Sequence, residues 1–175
     1  MKDSAIFTMT SGFVQGKVTL SGAGQQSFNQ NGGEIEGSVS IAGGTFTMND
    51  GTITEGGVCL ENGGTGNFIL NNGTLKKCDT AVNALSGTVR INGGTIIDSG
   101  VRSVYLGENA DMYLGNGSIL KGNKAQETTH LQIYGNLHLT GSPSLDGDIN
   151  VYNKTHPILL ETSFSNNERY YLNFL

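Results

Sequence analysis

A strand-like apolar stretch, a glycine-bearing turn and a second apolar stretch recur along the chain at an interval near twenty-one residues. Aligned on the first apolar position, the units start at Phe7, Phe28, Phe46, Phe68, Val89, Met112, Leu137 and Ile158, with steps of 21, 18, 22, 21, 23, 25 and 21 residues. A repeat of this length is the mark of a solenoid, in which each unit buries its apolar face only by stacking on its neighbours. Glycine then takes on a definite role. Twenty-seven glycines in 175 residues, with two prolines and no tryptophan, would otherwise point to a fibrous or disordered chain. Here they fall at fixed offsets between alternating apolar positions, as turn residues do.

The third unit is the clearest. Phe46-Thr47-Met48, Thr52-Ile53-Thr54 and Val58-Cys59-Leu60 are three short strands, separated by Asn49-Asp50-Gly51 and Glu55-Gly56-Gly57. Strand side chains alternate between faces, so Phe46, Met48, Ile53, Val58 and Leu60 point inward together. The same rule predicts three inward columns. The first is Phe7, Phe28, Phe46, Phe68, Val89, Met112, Leu137 and Ile158; the second is Met9, Gln30, Met48, Leu70, Ile91, Leu114, Leu139 and Leu160. The second strand supplies Val14, Ile35, Ile53, Leu75, Ile96, Ile119 and Leu145. Gln30 is the polar intruder and requires an internal partner or a local irregularity.

The expected fold is therefore all-β, a right-handed single-stranded parallel β-helix of about seven to eight coils with three short strands per coil. At the usual strand separation it is roughly 35 to 40 Å long. Residues 1–157 read as repeats, and residues 158–175 as the last coil and a C-terminal cap in which Phe164, Tyr170, Tyr171, Phe174 and Leu175 close the stack. Residues 121–129, in the longest repeat, read as an excursion loop. At the other end, residues 1–6 are all that can cover the first coil, so adjoining repeats or another chain are expected to shield it.

Gly12, Gly33, Gly51, Gly73, Gly94 and Gly117 share one corner, where positive φ or close approach of the next coil is needed. Two residues earlier in four of these units stand Asn31, Asn49, Asn71 and Asn92. Stacked at about 4.8 Å they form an amide ladder; simple turn preference accounts for them equally well.

Phe46-Thr47-Met48-Asn49-Asp50-Gly51-Thr52-Ile53 and Val89-Arg90-Ile91-Asn92-Gly93-Gly94-Thr95-Ile96 resemble the Phe-Thr-Met-x-Gly-Gly-Thr-Ile repeats of large bacterial surface proteins, of pectate-lyase-like parallel β-helix architecture. The resemblance covers nearly the whole chain. It implies a segment of a larger surface protein, extracellular or at the bacterial cell surface, with leader and anchor outside this sequence. Its implied role is that of a non-catalytic stalk or adhesive scaffold. It also raises an alternative, a polysaccharide-active enzyme or its binding fragment, because enzymes of this architecture act on polysaccharides with outward side chains of one sheet.

The outward columns are thus where chemistry is sought. Beside the phenylalanine column they read Thr8, Asn29, Thr47, Ile69, Arg90, Tyr113, His138 and Leu159. Arg90, Tyr113 and His138 carry the most chemistry, since arginine forks a carboxylate and an aromatic ring stacks on a sugar. These three are the candidate ligand-binding residues. On the third strand Thr19, Ser40, Cys59, Tyr105, Gln132 and Asn150 face outward, and on the second strand Thr52, Thr74, Thr95 and Ser118 make a hydroxyl ladder, with Leu120 beyond it. A glycosidase needs two carboxylates flanking a sugar; Glu34 and Glu36 are close, but no acid neighbours them in the stack. Asp146 and Asp148 flank Gly147 and are the weak calcium candidates, since one turn provides few oxygens for a calcium shell. No catalytic residues and no cofactor are assigned.

The three histidines lack metal-ligand spacing, and no phosphate loop or nucleophile elbow occurs. The net charge of -5 and the absence of a basic stripe argue against nucleic acid, and no apolar run is long enough to span a membrane as a helix. The partner that the resemblance implies is a glycan or a surface protein of a host or neighbouring cell. Cys59 and Cys78 lie thirteen and ten residues after their unit starts, so they do not stack on each other and read as unpaired thiols.

Overall fold

The computed structural model describes residues 5–22, 26–115, 117–122, 131–152, 155, 158–160 and 172–175. Parallel strands stack as a β-solenoid of about seven turns, and no helix occurs among the described residues. The first sheet is built from Ile6–Met9, 27–30, 45–48, Asn67–Leu70, 88–91, 111–114, Asn136–Leu139 and Ile158–Leu160. Phe13–Gln15, 34–36, 52–54, Thr74–Lys76, 95–97, 119–121 and Ser144–Asp146 form the second. Val18–Leu20, 39–41, 58–60, 82–84, 104–106, Leu131–Ile133, Ile149–Val151 and Leu172–Phe174 form the third.

Register explains why the coil closes. Phe7, Phe28, Phe46 and Phe68 are directly opposed on successive strands, and their rings stack at centroid separations of 5.1, 4.9 and 5.3 Å. Phe46, Met48, Ile53 and Leu60 of the third coil are fully buried and Val58 is nearly so, as the alternation predicts. Gln30 is also fully buried, between Met9 and Met48 in its column. Its Nε2 donates to the carbonyls of Gly33 and Thr52, both at 3.3 Å, while its Oε1 has no partner. The intruder is therefore half satisfied.

All six aligned corner glycines have positive φ, from 78° at Gly33 to 102° at Gly51 and Gly73. The amide ladder is present: Asn49 donates to Asn31, Asn71 to Asn49 and Asn92 to Asn71, at 2.8, 2.8 and 2.9 Å. Stacked amides thus satisfy one another along the solenoid axis, which turn preference alone does not require.

Three expectations need correction. In the sixth coil Leu120, not Ile119, opposes Ile96 and Leu145 and is fully buried. The cause is one extra corner residue: Leu120 follows Leu114 by six positions, whereas Ile96 follows Ile91 by five. Ser118 consequently leaves the hydroxyl ladder, is buried, and donates to the Gly115 carbonyl at 2.6 Å; Ile119 stands beside Thr95 instead. Ile6 is the first residue of a strand paired with Ser27 and not part of a cover. Lys121 and Gly122 extend a strand where the excursion loop was expected to begin. The remainder of that loop, 123–130, lies outside the described residues, as do residues 1–4 and Phe164 to Tyr171 of the expected cap.

Candidate functional site

In-register parallel stacking brings Arg90, Tyr113 and His138 onto adjacent strands of the first sheet. Their planar groups meet face to face. The Arg90 guanidinium lies 3.9 Å from the centre of the Tyr113 ring, and the Tyr113 and His138 rings stack at 4.2 Å with 15° between planes. Arg90 is exposed and the two rings are half-buried. A cation over an exposed aromatic face is worth about 0.5–1 kcal/mol, so the three side chains hold one another upright on the sheet.

This geometry alters the expected chemistry of Tyr113. With Arg90 on one face and His138 on the other, neither face of its ring is open to a sugar. What the ladder offers to solvent is a row of ring edges and polar ends, repeating at the strand separation of about 4.8 Å.

A neighbouring column adds polar groups that sequence alignment on the phenylalanines passed over. Thr88, Asp111 and Asn136 are opposed on the same three strands, each two residues before a ladder member and therefore on the same face. Asn136 donates to the Asp111 carboxylate at 2.7 Å. Among the described residues, Asp111 is the only carboxylate in the two outward columns of this sheet. The signal was present in the sequence, since position i−2 from each ladder residue shares its face.

A second aromatic cluster lies on the third sheet. Its outward column runs Thr19, Ser40, Cys59, Asn83, Tyr105, Gln132 and Asn150, as expected, with Asn83 the member not foreseen. Tyr134 and Tyr152 join it from the corner that follows, stacking at 4.9 Å, while Tyr105 packs on Tyr134 at 5.5 Å. Gln132 donates to the Tyr134 hydroxyl at 3.0 Å and accepts from Arg102. Both tyrosines directly follow the last residue of a third strand, so alignment on third strands would have paired them.

The other acidic candidates gather less. Glu36 accepts from Gln15 at 3.1 Å on the second sheet. Asp146 and Asp148 are exposed on either side of Gly147, and among the described residues no group of three His, Cys, Asp or Glu side chains is placed to hold a metal.

Both cysteines are free. Burial pushes the Cys78 thiol up to about 11 from its ordinary 9.0, and it donates to the Lys76 carbonyl at 3.4 Å. Cys59 is half-buried; burial first, and then the Glu61 carboxylate, raise its pKa against an opposing pull from Lys17. A thiol reagent at neutral pH is therefore expected to modify one cysteine per folded chain, slowly, and two after denaturation. Rapid modification of both in the folded protein would contradict the burial of Cys78.

No protein-family model, curated protein or solved structure matches the chain.

Proposed function

We propose that this solenoid is a non-catalytic scaffold, secreted or displayed at a bacterial cell surface, that binds an extended glycan along its first sheet. The observation that carries this is the Arg90, Tyr113 and His138 ladder, which stands outward on three consecutive strands beside Thr88, Asp111 and Asn136. A polymer lying parallel to the solenoid axis meets donors and acceptors at each of these three coils, so several modest contacts add along its length. The Arg90 guanidinium suits a carboxylate on such a polymer. Hydrolysis by a carboxylate pair requires a second acid across the sugar, and Asp111 stands without one in these columns. The surface location rests on the likeness of the Phe-Thr-Met-x-Gly-Gly-Thr-Ile type repeats to those of bacterial surface proteins.

A glycan array probed with the wild-type chain and with Arg90→Ala and Tyr113→Ala tests this. The wild type is expected to bind a subset of uronate-containing or neutral glycans, Arg90→Ala to lose about tenfold or more, as removal of a charge-assisted contact of about 1.5–3 kcal/mol implies, and Tyr113→Ala, which removes the ring that supports the guanidinium, to bind more weakly by a smaller factor. Thr74→Ala, on the second sheet, is expected to bind as the wild type does. Unchanged binding by both ladder variants would overturn the assignment.

A further inference from the structure

The stacking that closes both faces of Tyr113 also narrows what the first sheet can hold. A neutral sugar gains much of its grip by laying its apolar ring face on an open aromatic face, and here Arg90 and His138 occupy both faces of the tyrosine. Charge is what the column has left to offer. Among the described residues, Arg90 is the only lysine or arginine in the two outward columns of this sheet; its neighbours on the preceding strands are Asn67, Ile69, Thr45 and Thr47. Arg90 is exposed, and no carboxylate among the described residues forms an ion pair with it. Asp111, diagonal to it on the next strand, is engaged instead by the Asn136 amide at 2.7 Å. The N–H donors of a guanidinium lie in its own plane. With one flat face laid on Tyr113 at 3.9 Å, Arg90 therefore keeps its donor fork uncovered, in the geometry that grips a carboxylate through two parallel hydrogen bonds.

We propose that Arg90 determines the specificity of the first sheet, that Tyr113 positions it, and that the polymer held there carries a uronate carboxylate over Arg90 with neutral sugars beside it. This rests on the glycan-binding role proposed above and narrows it from glycans in general to acidic ones. One acid per bound segment is enough, because one fixed cation faces it. The Asp111 carboxylate, one coil further on, disfavours a second acid beside the first, as a repulsive element that sharpens selection. Thr88 and Asn136 meet hydroxyls of the neighbouring sugars. A guanidinium already held on a ring loses little freedom when it binds, so its contact with the carboxylate is not offset by the cost of ordering a long side chain. Lysine at this position supplies the charge without the fork or the flat face.

Calorimetric titration of the full chain tests this with oligosaccharides in which glucuronate, galacturonate or mannuronate alternates with a neutral sugar, each compared with the same oligosaccharide after its carboxyls are reduced to alcohols. For at least one pair the wild type is expected to bind the acidic form about tenfold or more tightly than the reduced one, as a charge-assisted contact implies. Arg90→Ala is expected to bind the two forms equally, and Arg90→Lys to keep only part of the preference. Tyr113→Phe retains the ring and should retain the preference, whereas Tyr113→Ala, with Arg90 still present, should lower it. Circular dichroism checks that each variant keeps its β spectrum, and the wild-type comparison stands without them. A preference undiminished in Arg90→Ala would overturn the proposal. So would equal binding of both forms by the wild type, a result that leaves the glycan-binding role standing. Binding of neither form of any pair would overturn that role together with this inference.

Discussion

Gly37→Ala is expected to cost about 4 kcal/mol, a large part of the stability of a domain this size. Two independent penalties meet at this residue. Its φ is +139°, a conformation that L side chains rarely adopt, and holding alanine there costs of order 1–3 kcal/mol. A Cβ at this site also falls 2.2 Å from the Gly16 carbonyl oxygen and 2.8 Å from its carbon. Backbone cannot step aside without parting two coils, and overpacking of that kind adds about 1–3 kcal/mol. Gly12 separates the two effects, since its φ is +97° but a Cβ there meets nothing within 4 Å. Gly12→Ala should therefore cost only about 1–2 kcal/mol. Urea unfolding of both variants measures the difference, and equal losses would show that close coil approach contributes nothing.

Phe46→Ala is expected to destabilise by about 4 kcal/mol, within the 3–5 kcal/mol range for truncating a buried phenylalanine. Phe46 is fully buried and stacked on both sides, at 4.9 Å on Phe28 and 5.3 Å on Phe68. Its removal opens a cavity inside a ladder that rigid strand spacing keeps from collapsing. Phe7 holds the same column position but is 59% exposed, so in the isolated protomer Phe7→Ala should cost under about 1 kcal/mol, in proportion to the apolar area it hides. A Phe46→Ala loss no larger than that of Phe7→Ala would mean that the phenylalanine column is not the continuous core described here.

Much of this fold was legible because burial and period repeat together. The inward columns headed by Phe7 and Met9 stand as the alternation rule arranged them, since four residues separate Phe7 from Gly12 and their equivalents in each of the first six coils. The rule failed at Ile119 because it assumed constant corner length, and the sixth coil adds one residue before its second strand. In a period-two element a slip of one residue exchanges the faces, which is why Leu120 and Ser118 changed places with their expected roles.

Another corner was illegible for a different reason. After six of the seven second strands the next residue has positive φ, as glycine at Gly16, Gly37 and Gly147 but as Glu55, Lys77 and Asp98 in the middle coils, with φ of 69°, 55° and 56°. No residue type marks it, because neighbouring coils impose the turn there against local preference, at about 1–2 kcal/mol each.

The candidate site was legible as a column but not as a contact. Arg90, Tyr113 and His138 follow from register alone, whereas the enclosure of both faces of Tyr113 depends on rotamers that sequence does not encode. Asp111 escaped notice because it belongs to an adjacent column of the same face. Tyr134 and Tyr152 escaped because they sit in a corner, beyond any strand alternation.

The proposed glycan-binding role requires that a polymer held along the first sheet be left intact. The most direct measurement incubates the wild-type chain with a uronate oligosaccharide ladder and follows both retention and chain length. Saturable retention that grows with oligosaccharide length, is reduced by Arg90→Ala, and leaves every length unchanged is the predicted result. Shortening of the oligosaccharides, or appearance of unsaturated ends, would contradict it.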